Sequence, residues 1–183
     1  MLSQLYPTFS HILCLLEHHM NNLELEQTIL DSYKLGVSYC RTLYEKKGVR
    51  LFVRGSLRYE SIELEKYCMD KDFEVCATKI YWNTKSKCII AIYTAPSGNF
   101  DLFITKLDII PRKLYASTIE YIICGDINID YLVDSDTKSQ ALFQTCNLRS
   151  EVKFTSHTQQ YSATAIDNIF IDITKWGIIL YVQ

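Results

Sequence analysis

The chain has 183 residues, enough for one domain that buries about two-thirds of its extended-chain surface on folding. With 48% hydrophobic and 22% charged residues, its composition excludes a disordered or low-complexity protein. A formal charge of -2 excludes a strongly basic polycation, so any affinity for nucleic acid has to come from a local site.

The number and spacing of the cysteines and the length of the apolar runs indicate the cellular compartment. Seven cysteines are an odd number and show no C-x-x-C spacing, and Cys14, Cys88 and Cys124 lie inside apolar runs, as small hydrophobic residues do. The longest apolar runs, such as 176–182, are far shorter than the ~20 residues of a membrane-spanning helix. We therefore expect a soluble protein of a reducing compartment, cytoplasmic or nuclear, with no membrane partner.

The first half of the chain reads as strands. Short apolar or β-rich runs predict strands at 12–16, 33–40, 49–53, 73–81 and 88–93. The polar residues 82–87 between the last two runs are typical of a hairpin connection.

The second half mixes helices with strands. Phe100, Phe103, Leu107 and Ile110 recur at helical spacing and predict a helix that ends before Pro111. Further runs predict a strand at 119–124, a short amphipathic helix at 136–146 and a strand at 165–171. Alternating strands and helices with hairpins among them indicate a single α/β domain over residues 1–183, built on mixed sheets.

Polar side chains follow several of these strands. Glu17, Tyr93, Asp126 with Asn128, and Asp167 each lie at or near the end of an apolar run. Because α/β sheets collect ligand-binding groups at their strand ends, these residues are the candidate site.

The sequence Gly125-Asp126-Ile127-Asn128 places a carboxylate and an amide two residues apart. In extended backbone both would point to one face, where Mg²⁺ prefers oxygen ligands, and Glu17 is the natural second carboxylate. Tyr93 can donate a hydrogen bond to a phosphate oxygen. Taken locally, Asp126 and Asn128 could instead cap a turn, and Glu17, beside two histidines that lack partners at zinc-ligand spacing, could lie on a solvated loop edge.

Four motifs occur in an order that resembles a known family. They are residues 13–18 (LCLLEH), 92–98 (IYTAPSG), 125–128 (GDIN) and 162–170 (SATAIDNIF), and together they resemble the endonuclease/exonuclease/phosphatase superfamily. Within it, the chain is most similar to the endonuclease domain that precedes reverse transcriptase in insect-type non-LTR retrotransposons. The resemblance covers about residues 12–172, and 33–41 and 48–53 add to it.

The resemblance implies a four-layer α/β sandwich, two mixed β-sheets flanked by helices, and Mg²⁺- or Mn²⁺-dependent hydrolysis of DNA. It implies that Glu17 and Asp126 hold the metal, that Asp126 orients the attacking water, and that Tyr93 contacts the scissile phosphate. Asn128 would help to hold the transition state, and Asp167 resembles a carboxylate that orients a catalytic histidine. The implied partners are DNA and the reverse transcriptase of the parent element.

The chain departs from the family pattern at both ends. No asparagine precedes Asn21, and no Ser-Asp-His motif follows Asp172. We therefore expect the first and last strands of the family to be absent and the nuclease to be weakly active or inactive. The alternatives are a non-catalytic remnant that binds nucleic acid or protein, and a phosphatase of small phosphoesters.

Overall fold

The fold is seen in a computed structural model of the chain. The structure describes residues 11–17, 29–41, 48–82, 85–114, 120–129, 137–146, 148–150, 157–159, 162–164 and 167–172. The strands of this part are β1 (Ile12–Leu16), β2 (Tyr33–Cys40), β3 (Gly48–Arg54), β4 (Arg58–Ile62), β5 (Glu74–Trp82), β6 (Lys85–Tyr93), β7 (Glu120–Asp126), β8 (Leu148–Ser150), β9 (His157–Gln159), β10 (Ser162–Thr164) and β11 (Asp167–Asp172). The helices are α1 (Phe100–Leu114) and α2 (Thr137–Cys146), and Glu65–Tyr67 forms a 3-10 turn.

Six strands form one mixed sheet in the order β4-β5-β6-β7-β11-β8. Among its described strands, β6 and β7 are parallel and joined through α1, and the remaining pairs are antiparallel. A helix between parallel strands is the usual crossover, so the predicted helical return between two strands is confirmed.

The second sheet has three strands in the order β1-β3-β2, and both of its pairs are antiparallel. The expected mixed pattern therefore holds for the larger sheet, whereas the described strands of the smaller one are purely antiparallel. Strands β9 and β10 form a separate two-stranded hairpin.

The six-stranded sheet has an apolar core on each face. Because side chains alternate along a strand, Ile90 and Ile92 of β6 pack on the helix side with Phe103 of α1, while Ile89 and Ala91 face the smaller sheet. The α/β sandwich predicted from the sequence is thus confirmed, and the described residues form three of its four expected layers: helices, large sheet and small sheet.

Two predicted boundaries are wrong. Strands β5 and β6 stay paired as far as Trp82 opposite Lys85, so the hairpin connection is shorter than 82–87. Helix α1 continues through Pro111 to Leu114. Proline removes one backbone hydrogen bond, but the apolar stripe of α1 continues to Leu114, which is partly buried against the core and favours continuation of the helix.

Two further findings concern the membrane and the thiols. No described helix is both long and apolar enough to cross a bilayer. No disulfide joins Cys14, Cys40, Cys68, Cys76, Cys88 or Cys124, and the last three of these are buried.

Candidate active site

One end of the large sheet gathers the predicted residues. The antiparallel and parallel registers place Glu74 opposite Tyr93, Tyr93 opposite Asp126, and Asp126 opposite Asp167. These four positions form one row across β5, β6, β7 and β11. The expectation that the candidate residues Tyr93, Asp126 and Asp167 lie at strand ends therefore holds for their backbone, and Glu74 joins them in the row.

Glu17 reaches the same end from the small sheet. It follows β1 directly, and its backbone N–H donates to the carbonyl of Gly48, 3.0 Å away. Glu17 has φ +46°, a conformation that non-glycine residues seldom adopt and that in folded proteins clusters at functional sites. Gly48 permits the close approach of β2 and β3, since a Cβ there would lie 2.0 Å from the carbonyl oxygen of Tyr39.

The hydroxyl of Tyr93 joins the two sheets by donating to Oε1 of Glu17. Tyr93 is buried, with 1% of its surface exposed. Burial and, after it, the hydrogen bond to Glu17 raise the pKa of Tyr93 above its ordinary value. The hydroxyl therefore remains a donor at neutral pH and fixes the orientation of the Glu17 carboxylate.

Asp126 and Asn128 meet through a turn, which corrects the extended arrangement expected from their spacing. Asn128 has φ +51°, and its backbone N–H donates to Oδ1 of Asp126 at 2.8 Å. Its side-chain Nδ2 donates to the carbonyl of Thr94 at 2.7 Å. Asparagine tolerates the left-handed region, so the chain can turn directly after β7. The turn keeps Asn128 beside Asp126 and Thr94, at the end of the sheet.

Asp167 begins β11, and its backbone lies opposite Asp126. Its side chain lies outside what the structure describes, as do the backbone and side chains of His18 and His19. The role implied for Asp167 stays a prediction.

A buried ion pair that sequence reasoning missed lies beside these residues. Nε of Arg41, just after β2, donates to Oε1 of Glu74, and the two side chains are 3% and 0% exposed. Burial raises the pKa of Glu74, while the Lys71 backbone hydrogen bond and the charge of Arg41 act in the opposite direction. The sequence does show an acidic residue, Glu74, among apolar ones at the start of a predicted strand. Its partner Arg41, however, is 33 residues away, and no local sequence pattern connects the two.

The candidate metal ligands, Glu17 and Asp126, suit a cation that keeps several water ligands. Among the described residues, no group of three or more His, Cys, Asp and Glu side chains could hold a metal ion. Glu17 and Asp126 nevertheless both adjoin Tyr93, one through its hydrogen bond and the other through the strand register, and both charges raise the pKa of Tyr93. Two carboxylates at one sheet end suit Mg²⁺, which takes one or two protein carboxylates and completes its shell with water and substrate oxygens.

Comparison with known proteins identifies the fold. No protein-family model and no curated protein sequence matches the chain. Solved structures do, and the chain has the endonuclease/exonuclease/phosphatase fold that its four motifs predict.

Three solved structures illustrate the likeness. The endonuclease domain of TRAS1, a telomere-specific non-LTR retrotransposon, superposes with a TM-score of 0.63 at 14% identity, over 79% of this chain and 67% of that one. D. rerio TDP2 complexed with a single-strand DNA product gives 0.62 at 12% identity, over 91% and 73%. Beta toxin from Staphylococcus aureus with bound magnesium ions gives 0.54 at 16%, over 77% and 58%. At these identities the likeness establishes the fold, and function has to be argued from the site.

Proposed function

We propose that this domain is a metal-dependent phosphodiester hydrolase of the endonuclease type, derived from a retrotransposon and acting on DNA. The observation that carries the proposal is that two carboxylates adjoin buried Tyr93 at one end of the sandwich: Glu17 accepts its hydroxyl hydrogen bond, and Asp126 lies opposite it in the neighbouring strand. Neighbours of the same fold include a retrotransposon endonuclease, a DNA-bound enzyme and a protein with bound magnesium ions, which supports this choice.

The proposed roles of the site residues are to hold the metal ion and to orient the attacking water. Glu17, oriented by Tyr93, and Asp126 would hold Mg²⁺ or Mn²⁺, which neutralises charge on the phosphate when bound. Asp126 orients the attacking water and accepts its proton. Asn128, whose Nδ2 donates to the Thr94 carbonyl and whose backbone N–H donates to Asp126, holds the turn after this carboxylate, and its remaining amide N–H would bind the phosphate.

Tyr93 has two roles in succession. Its hydroxyl donates to Glu17 in this structure and would keep that hydrogen bond when Glu17 binds a cation; with substrate present, it would turn towards a phosphate oxygen. Asp167, whose backbone lies opposite Asp126, would assist an acid-base group.

We propose slow turnover for the 183-residue polypeptide. It contains four histidines and no Ser-Asp-His motif, and a general acid-base group contributes roughly 10²- to 10⁴-fold. Nicking by this polypeptide should thus be at least ~10²-fold slower than by a nuclease of this fold with that motif.

Nicking of supercoiled plasmid with Mg²⁺ or Mn²⁺ tests the proposal. We expect slow, metal-dependent nicking that Asp126→Ala abolishes and that Asp101→Ala, a change of an exposed aspartate on α1, leaves intact. Nicking that survives Asp126→Ala would refute the assigned site. Hydrolysis of p-nitrophenyl phosphate with no nicking would identify a small-phosphoester phosphatase, and no hydrolysis of either substrate would identify a remnant.

The retrotransposon origin has a separate test in the genome. Sequence flanking the reading frame should encode a reverse transcriptase downstream, the partner that the resemblance implies. A flank that encodes an unrelated host protein on both sides would contradict this origin.

A further inference from the structure

The buried pair of Arg41 and Glu74 is not used by the proposed reaction, although it lies beside the reacting groups. Removing two charges from water costs several kcal/mol per ion, and such a pair adds little net stability. Arg41 Nη2 and Glu74 Oε2 are both buried without a hydrogen-bond partner among the described residues, so the pair is not even fully satisfied. Its stabilising value is therefore small, and its contacts point to another purpose.

The first set of contacts runs through Arg41 to Glu17. The guanidinium carbon of Arg41 lies 5.5 Å from the centroid of the Tyr93 ring, within the range of a cation–π contact. The hydroxyl of that ring donates to Glu17. Arg41 thus packs on the side chain that orients Glu17.

The second set of contacts runs through Glu74 towards Asp126. Oε1 of Glu74 accepts the Lys71 backbone N–H at 3.0 Å, which holds Lys71 at φ +72°. The Lys71 carbonyl in turn accepts the Ala95 N–H at 2.8 Å and the Thr94 hydroxyl at 3.2 Å.

Thr94 completes the connection to the second carboxylate. Its backbone N–H donates to the Asp126 carbonyl at 3.2 Å, and its own carbonyl accepts Nδ2 of Asn128. The backbone N–H of Asn128 holds Oδ1 of Asp126. Glu74 is therefore linked, bond by bond, to the residue proposed to direct the water.

We propose that the Arg41–Glu74 pair is a positioning element that sets the geometry of both halves of the site: Arg41 holds Tyr93 and thus Glu17, and Glu74 holds the Lys71–Thr94 segment and thus Asp126. This inference rests on the proposed function for its consequence in metal binding, whereas the positioning of Tyr93 can be tested without a metal. Neither residue touches the metal or the substrate.

A double variant with unchanged net charge separates the loss of the positioning contacts from the effect of an altered charge near the cation site. Arg41→Met alone removes a positive charge near a cation site, which favours the cation, and it leaves Glu74 buried and unpaired, so its effects are mixed. Arg41→Met/Glu74→Gln leaves the net charge unchanged and keeps an acceptor for the Lys71 N–H. The control Arg112→Met/Asp108→Asn makes the equivalent change in an ion pair of α1 that is exposed at Arg112 and half-buried at Asp108, with Arg112 Nε 2.8 Å from Asp108 Oδ2.

Three readouts are taken on each protein. Urea denaturation gives stability, the Cζ resonance of ¹³C-labelled Tyr93, assigned with Tyr93→Phe, reports its hydroxyl contact, and electron paramagnetic resonance of free Mn²⁺ gives metal affinity. We expect each single variant to lower the urea midpoint and the double variant to recover most of the loss. The double variant should still shift or broaden the Tyr93 resonance and bind Mn²⁺ about tenfold more weakly, the low end for a residue behind a metal ligand.

Recovery of stability with an unchanged Tyr93 resonance, or with Mn²⁺ affinity within twofold of wild type, would overturn the inference. If the double variant does not fold, Arg41→Lys replaces it: this variant keeps the charge but loses the planar guanidinium, and an unchanged resonance would likewise overturn the inference. A wild type that binds no Mn²⁺ while the resonance still shifts would uphold the positioning of Tyr93 and refute the proposed metal site.

Discussion

Gly125 immediately precedes Asp126, and its replacement by alanine should break the end of β7. Gly125 lies opposite Ile92 in the parallel pair of β6 and β7 and has φ +157°. A Cβ added there would lie 1.8 Å from the Ile92 carbonyl oxygen and 2.8 Å from its carbon. No side-chain rotation relieves this clash, because both atoms belong to the backbone.

The size of the effect follows from the contact distance. A carbon and an oxygen of neighbouring strands come no closer than about 3.3 Å, so the strands would have to part by roughly 1.5 Å. A shift of that size breaks two or three backbone hydrogen bonds at about 1 kcal/mol each, and the positive φ adds about 1–2 kcal/mol. We expect Gly125→Ala to lower the free energy of unfolding by about 3–5 kcal/mol.

Gly55→Ala is the matched control. A Cβ at Gly55 would meet Ser32 O at 3.5 Å and Lys34 Cε at 3.8 Å, which are ordinary contacts. Its effect should stay within about 1 kcal/mol, because the alanine fits and restricts the unfolded chain. Urea denaturation followed by circular dichroism compares the two variants, and a Gly125→Ala protein as stable as the Gly55→Ala protein would refute the reasoning.

Three further predictions concern Tyr93, Phe103 and Cys88. Tyr93→Phe keeps the ring but removes the donor to Glu17, so Mn²⁺ affinity measured by calorimetry should fall about tenfold, and an unchanged isotherm would contradict the role. Phe103→Ala empties a fully buried site beside Phe73, at a ring-centroid distance of 5.6 Å, and should cost about 3–5 kcal/mol in urea denaturation; a loss below about 1 kcal/mol would contradict the packing. Burial raises the pKa of the Cys88 thiol to about 12 from 9.0, so the unfolded state loses its proton first, and stability should fall as pH rises from about 9 towards 12. In reductant, Cys88→Ala should make the urea midpoint less dependent on pH over that range, and an equal dependence in both proteins would contradict the assignment.

The core strands could be predicted because buried strands consist of runs of apolar residues, which are visible in the sequence. Strands β1, β6 and β7 are apolar runs, and the helix at 100–110 shows its spacing plainly. Strand β4 was not predicted from the sequence. It lies at the edge of the large sheet, and because its residues are mostly polar and exposed, they do not alternate between apolar and polar as a half-buried strand does. The end of α1 was misplaced because packing of Leu114 outweighs the local signal of Pro111.

The site divides in the same way. Glu17, Tyr93, Asp126 and Asn128 were predicted from motifs, and the structure brings them to one sheet end. The turn at Asn128 was only the alternative interpretation of this motif, because the spacing of two polar residues does not reveal a positive φ. The contact between Arg41 and Glu74 depends on how the two sheets face each other, which is a tertiary property that no local pattern carries.

The central claim is that Glu17 and Asp126, which come from different sheets, hold one divalent cation. Calorimetric titration of Mn²⁺ into wild type, Glu17→Ala, Asp126→Ala and the exposed control Asp101→Ala tests it most directly. The account predicts one site in wild type and in the control, and its loss in both of the other variants. An isotherm that either Glu17→Ala or Asp126→Ala leaves unchanged would contradict the shared site.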